Sequence, residues 1–253
     1  MRNFNQPFSG AQAELSFSGD IALGSANKLA VQRVQEWLVY HGKVTGVDED
    51  YGQHTKALVT VFQSGHALPA TGVVNAATWA ALTAPLRRAL RPIDPTGKNI
   101  NDLIVAYARQ NLAENPIEIG GPNDGPWVRS YMLGRGGKIW QWCAGFVSFV
   151  LAQACQAKGV GLPVEPSFSV RPLVKSATSR GRFFPDGPCS PGDIFCIPTA
   201  KGSWSHTGFV LELAGGKFLS AEGNTNAAGG SDGVCARSTL RNPARCDFIR
   251  VGT

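Results

Sequence analysis

Cys143 stands where a glycine-rich, aromatic loop runs into an apolar stretch, Gly137-Lys138-Ile139-Trp140-Gln141-Trp142-Cys143-Ala144-Gly145-Phe146-Val147-Ser148-Phe149-Val150. Apolar residues recur at Phe146, Val147, Val150, Leu151 and Ala154, the spacing of a helix. The pattern therefore predicts a helix whose first turn carries the cysteine. Free backbone N–H groups and the helix dipole at such a place favour a thiolate over a thiol. Nucleophilic chemistry by a thiolate further needs a base and a group that orients the base. His206 is the only histidine in the C-terminal half. Glu222 and Asn224 follow it, and either side chain suits the task of fixing the imidazole tautomer. Asn224 also reads as a turn residue ahead of Thr225-Asn226. Taken singly, each has a plainer role, since a lone cysteine on an apolar helix is usually a core residue. Together Cys143, His206, Glu222 and Asn224 form the candidate catalytic set.

The segments around them must place these groups. Asn101-Asp102-Leu103-Ile104-Val105-Ala106-Tyr107-Ala108 opens a helix, capped by Asn99 or Asn101, and Trp127–Met132 reads as a short one. After residue 192 the period changes to that of strands: Asp193–Ile197, Thr207–Leu213, Lys217–Glu222 and Cys246–Val251. Gly215-Gly216 between the second and third is a hairpin signal. Helices first and antiparallel strands later predict an α+β layout. His206 is then placed at the start of a strand, facing the helix N-terminus.

The N-terminal part has a different texture. Residues 1–27 are polar, without a period, and read as an arm. Residues 28–84 read as three helices. Val31, Val34, Leu38 and Val39 mark the first, a run from His54 through Phe62 the second, and Thr78, Trp79 and Leu82 the third, with Asn75 as its N-cap. Residues 85–99 hold three prolines and four basic side chains, the composition of a semi-rigid linker. A second unit follows over 100–253. On this division the linker tethers one unit to the other, and each works alone.

Bulk properties narrow the classes. A hydrophobic content of 43% with 17% charged residues excludes a disordered chain. The net charge of +6 is spread along the sequence and no basic run reaches five residues, which argues against nucleic acid as a partner. Diffuse positive charge suits approach to a polyanionic surface. No apolar run approaches the roughly 20 residues that span a bilayer, so no membrane insertion is expected. The N-terminus lacks the continuous apolar core of a secretory signal. Synthesis in the cytoplasm, followed by release or export, is the expectation. All six cysteines lie at or beyond residue 143. Cys189/Cys196 and Cys235/Cys246 are conceivable local pairs, but a nucleophilic Cys143 leaves an odd number. No C-x2-C pair exists, so no zinc site, and no other metal or cofactor, is expected.

Two resemblances follow from these residues. Val31-Gln32-Arg33-Val34-Gln35 with Leu38, Gly46-Val47-Asp48 with Tyr51-Gly52, Thr55, Ala57, Phe62-Gln63, Leu68, Thr71-Gly72-Val73-Val74 and Thr78-Trp79 with Leu82 resemble the peptidoglycan-binding domain type 1 family. The Asp-Gly usual in its central turn is Asp48-Glu49 here, with Asp50 inserted before Tyr51-Gly52. Trp142-Cys143-Ala144-Gly145-Phe146-Val147, Ser190-Pro191-Gly192-Asp193-Ile194-Phe195, Ser205-His206-Thr207-Gly208-Phe209-Val210 and Glu222-Gly223-Asn224-Thr225-Asn226 resemble the CHAP family of cysteine amidohydrolases and peptidases, relatives of the NlpC/P60 and papain-like enzymes. The resemblances imply a multi-domain α and α+β protein: a small three-helix wall-binding domain and a papain-like α+β domain with an antiparallel sheet. They imply a monomer with bacterial peptidoglycan as its partner, cleaved at an amide bond by N-acetylmuramoyl-L-alanine amidase or peptide endopeptidase activity. Cys143 is then the nucleophile, His206 the base, and Glu222 with Asn224 the orienting groups. Gln141 is a candidate oxyanion donor beside the Cys143 N–H. Some members bind calcium through acidic residues just before the cysteine. Arg129 to Trp142 holds none, so calcium is not carried over. The pairing of units resembles modular phage endolysins. A secreted antibacterial effector, or a wall-binding protein with a dead second domain, are the alternatives.

Overall fold

The computed structural model describes residues 6–200, 202–226, 228–230 and 233–252. Helices come first: α1 (Ser9–Leu15), α2 (Lys28–Tyr40), α3 (Gln53–Gly65), α4 (Ala76–Leu82), α5 (Ala84–Ala89), α6 (Ile100–Ala113), α7 (Pro126–Tyr131), α8 (Cys143–Lys158) and α9 (Val170–Ser179). Then come β1 (Phe183–Phe184), β2 (Ile194–Ala200), β3 (Ser203–Ala214), β4 (Lys217–Thr225), β5 (Cys235–Arg237), β6 (Leu240–Arg241) and β7 (Asp247–Ile249). The strands form one antiparallel sheet in the order β1-β7-β2-β3-β4-β5, with β6 also paired to β4. The mixed α and α+β class expected from the periods is therefore what the chain adopts.

Helices α2, α3 and α4 are built on buried Val31, Val34, Leu38, Phe62, Trp79 and Leu82. Two buried glutamines organise the turns between them. Gln35 donates to Asp48 Oδ1 (2.6 Å) and the Asp50 carbonyl while its own oxygen accepts from the Asp48 and Glu49 N–H groups. Gln63 does the same for the second turn, donating to the Val73 carbonyl and accepting from Gly72 N. Buried amides must be satisfied, and here each fixes one loop. Asn75 caps α4 through Thr78 N (2.9 Å). Asn99 and Asp102 close a capping box on α6.

Two segments differ from the sequence reading. Residues 6–27, the described part of the segment read as an arm, are not loose, because α1 packs on α7. A Cβ added at Gly10 would stand 2.3 Å from the Arg129 carbonyl, so only glycine permits that approach. The Trp79 indole donates to the Leu15 carbonyl (3.1 Å), and Ile21 bridges to Val74. Residues 85–99 are not a free spacer either. Their start is helical, with Leu86 and Ala89 buried. Gln110 and Gln153 hold the Ala89 carbonyl, Arg88 forks onto Glu114 (2.9 and 2.7 Å), and Tyr107 accepts from Ile93 N. Composition suggested a linker because it counts prolines and charges. It does not register two apolar residues turned onto a neighbouring helix.

The N-terminal helices and the later unit share a core. Trp127 of α7 stacks edge-on against Trp37 (6.3 Å) and lies 6.1 Å from Tyr40, both on α2. Beside them Arg129 donates five hydrogen bonds to three carboxylates: Glu14 of α1, Glu36 of α2 and Asp124. Glu14 and Glu36 are at most 1% exposed.

Candidate active site

Helix α8 begins at Cys143, with Trp142 as a cap residue whose side chain makes no cap hydrogen bond. The first N–H groups of the helix are thus left for whatever anion the site develops. Nearly every side chain from Cys143 to Cys155 is buried, which explains the apolar run. Trp142 is fixed from two sides. Its ring stacks on Tyr131 (5.6 Å between centroids, 10° between planes), and its indole N–H donates to Glu118 (2.8 Å). Tyr131 stacks in turn on Trp127. The cysteine therefore sits at the end of an aromatic column that starts on α2.

His206 lies in the middle of the sheet, on β3 opposite Ile197 of β2, and is fully buried. Its Nε2 is 2.8 Å from Glu222 Oε2. Its Nδ1 is buried and closes no hydrogen bond of ordinary geometry. The neighbour acting on the ring besides Glu222 is Cys143. Burial works against a charged imidazole, but Cys143 and Glu222 outweigh it, and the His206 pKa is pushed up to about 9. Glu222 is also fully buried, yet its carboxyl is held below the usual carboxylate range. Burial alone would raise it; hydrogen bonds from His206 and Arg241 overcome that.

Glycines make these contacts geometrically possible. The β3–β4 register pairs Phe209 with Ala221 and Val210 with Ser220. A Cβ at Gly208 would stand 3.0 Å from Glu222 Cγ and 2.4 Å from the Ala221 carbonyl, so the bare position lets Glu222 lean toward His206. A Cβ at Gly223 would meet Phe146 Cβ at 2.7 Å and the Trp142 ring at 2.8 Å. That contact presses β4 against the first turn of α8.

The structure thus brings Cys143, His206 and Glu222 together. Asn224 is buried on β4 with φ +54°; the group at His206 Nε2 is Glu222. Gln141 is exposed and precedes the cap residue. Arg241 and Ser220 were not singled out from sequence. Arg241 Nε donates to Glu222 Oε1 (2.7 Å), Nη2 donates to Oε2, and the Ser220 hydroxyl donates to Oε1. All six cysteines are free thiols, so neither conceivable local pair is bridged. Among the described residues no group of three or more His, Cys, Asp or Glu is arranged to hold a metal ion, and no helix is long and apolar enough to cross a membrane. A large surface cleft, lined by Lys98, Asn101, Arg182 and Arg250 among others, does not include Cys143. It is the charge arrangement, not cavity size, that marks this site.

Residues 27–82 fit the family described as "Putative peptidoglycan binding domain". The match supports the wall-binding unit read from Val31 to Leu82, peptidoglycan as a partner, and association with the cell wall. No curated protein and no solved structure matches the chain.

Proposed function

We propose that this chain is a peptidoglycan hydrolase that cleaves an amide bond of the bacterial wall through Cys143, a lytic enzyme of the endolysin type. The observation that carries the reading is the buried relay Cys143–His206–Glu222 at an uncapped helix N-terminus, in a chain that also holds a peptidoglycan-binding unit. His206 stands between a thiol and a buried carboxylate, the position of a proton-transferring group.

The steps follow from the atoms. The Cys143 sulfur attacks the amide carbon as a thiolate, forming the C–S bond and moving the carbonyl π pair onto oxygen. That oxyanion is received by the Cys143 backbone N–H at the start of α8. His206, charged and held by Glu222 at Nε2, gives its other ring proton to the amide nitrogen, and the C–N bond breaks with release of the amine. Water then attacks the thioester and gives a proton to His206. The C–S bond breaks, and the carboxylic acid leaves as the thiolate and imidazolium return. No metal or cofactor enters this scheme.

Incubation of purified peptidoglycan with the full chain, followed by mass spectrometry of the fragments, tests both the reaction and the bond. Muramic acid with a free lactyl carboxyl identifies an amidase, and cut stem or cross-bridge peptides identify an endopeptidase. Solubilisation of the wall by Cys143→Ala at the wild-type rate would refute the reading.

A further inference from the structure

We propose that Arg241 is a positioning residue of this site, a permanent cation that keeps Glu222 ionised and aimed at His206 throughout the catalytic cycle. The proposal rests on the cysteine-hydrolase reading and adds to it a group that the sequence does not mark.

The geometry is that of a clamp. Both oxygens of Glu222 are doubly engaged: Oε1 by Arg241 Nε (2.7 Å) and the Ser220 hydroxyl, Oε2 by His206 Nε2 (2.8 Å) and Arg241 Nη2. Arg241 is held in turn. It lies on β6 opposite Phe218 of β4, and its guanidinium sits 5.7 Å from the centroid of the Phe195 ring. Phe195 also lies 6.3 Å from His206, so the ring packs against both cations that serve the carboxylate. The Arg241 side chain is 14% exposed and that of Glu222 is sealed.

The chemistry explains why His206 cannot do this alone. A carboxylate removed from water takes up a proton unless a cation stays beside it. His206 is a cation only until it protonates the leaving amine. From then until the thioester is hydrolysed it is neutral, and the sulfur has no charge either. Glu222 would then be a lone buried anion. A guanidinium does not lose its proton in this range and presents a planar fork that matches a carboxylate. With Arg241 counted, the set of sulfur, imidazole, carboxylate and guanidinium is neutral before acylation and neutral after it. Without Arg241 it carries one buried negative charge in both states. The other titratable or charged groups around the site do not replace it. Cys196 on β2 and Cys246 just before β7 are thiols, Asp247 on β7 is an anion, and Arg237, opposite Glu222 on β5, is exposed.

The test uses the full chain and two readouts. The first is the pH dependence of Cys143 alkylation by iodoacetamide, followed by peptide mass spectrometry so that the other five thiols are resolved; it needs no substrate. The second is turnover of solubilised peptidoglycan fragments, with kcat and KM separated. In Arg241→Met the acid limb of alkylation moves to higher pH, because a cation that favours both Glu222 and the thiolate is gone. The expected shift is about one pH unit, and kcat falls about tenfold or more with KM within about threefold. Arg241→Lys keeps the charge and loses the fork. It restores the alkylation profile and only part of kcat. A folded Arg241→Met with wild-type alkylation profile and kcat overturns the proposal. Should Arg241→Met not fold, a wild-type kcat in Arg241→Lys overturns the clamp. If Cys143→Ala still cuts the wall, the hydrolase reading falls instead, and the alkylation profile still decides what Arg241 does.

Discussion

Replacing Arg129 by methionine is the most informative perturbation of the fold. The methionine keeps an unbranched apolar stem and removes the charge. It leaves Glu14 and Glu36, at most 1% exposed, without the guanidinium that binds both. Glu14 retains Arg33 (3.2 Å), but Glu36 retains only the Gln32 amide (2.9 Å). Breaking a buried ion pair from one side costs about 3–5 kcal/mol. Here the orphaned carboxyl can escape part of that by protonation. Burial already pushes Glu36 up, and Arg129 is what pulls it back. In the variant the folded-state pKa of Glu36 therefore moves further above the unfolded value. The protonated form is favoured in the fold, so the cost is full at neutral pH and shrinks as pH falls toward the unfolded carboxylate range. Denaturant unfolding followed by tryptophan fluorescence reports on the right place, since Trp37 and Trp127 meet at this junction. The expected loss is about 3 kcal/mol or more near pH 7.5, smaller near pH 5. In the Glu36→Gln background the same replacement costs at least about 1 kcal/mol less, the coupling expected of groups in direct contact. A loss under about 1 kcal/mol at neutral pH, with no coupling to Glu36, would refute the idea that this cluster locks α1 and α2 to α7.

Other outcomes follow from the same geometry. Removing residues 1–92 takes away Glu14, Glu36, Trp37 and Tyr40 together. Cleavage of a small soluble muropeptide is then lost along with that of intact walls; unimpaired soluble activity would restore the simple tether. Turnover against pH falls as pH rises through about 9, where His206 loses its proton, and Glu222→Gln brings that fall to lower pH because one of the groups that raise His206 is gone; an unmoved alkaline limb argues against the pairing. Gly223→Ala forces Trp142 and Phe146 to shift, at a cost of about 1–3 kcal/mol in thermal unfolding, and slows Cys143 alkylation more than a remote destabilising change of equal size. Treatment with EDTA leaves hydrolysis unchanged, and activity restored by added calcium or zinc would contradict the metal-free scheme.

What could be read from the sequence was whatever depends on local period or on a rare residue type. The 3.6-residue spacing after Cys143 placed it on the first turn of α8, and one histidine in the later half made His206 the only base to consider. Gly215-Gly216 marked the β3–β4 hairpin, but the one-residue register shift between Val210 and Glu212, which sets where Glu222 falls, left no signal. The choice between Glu222 and Asn224 could not be made that way. They are two residues apart on one strand, and only the packed structure shows that Glu222 is the group at His206 Nε2. Arg241 left no signal, because β6 is two residues long and arginines are spread through the chain.

The junction of the units was hidden for a related reason. Glu14, Glu36 and Arg129 are charged residues of the kind that normally face water, and they lie in three segments read separately: the arm, the first helix of the 28–84 unit and a short helix of the second unit. Their burial is linked, because the Arg129 guanidinium binds Glu14 and Glu36 together. Sequence patterns score positions one at a time, whereas a buried charge cluster is a property of the set. The same holds at Glu222, whose burial becomes intelligible only when His206 and Arg241 are counted with it. In both places a guanidinium works against the rise in carboxyl pKa that burial imposes, at Glu36 and at Glu222. At Arg129 that arrangement ties the wall-binding helices to the column Trp127–Tyr131–Trp142, which ends beside Cys143. A disturbance of the wall-binding unit therefore has a continuous packed route to the cysteine. Alkylation of Cys143 in Arg129→Met, compared with wild type under conditions where both remain folded, measures whether that route carries any energy.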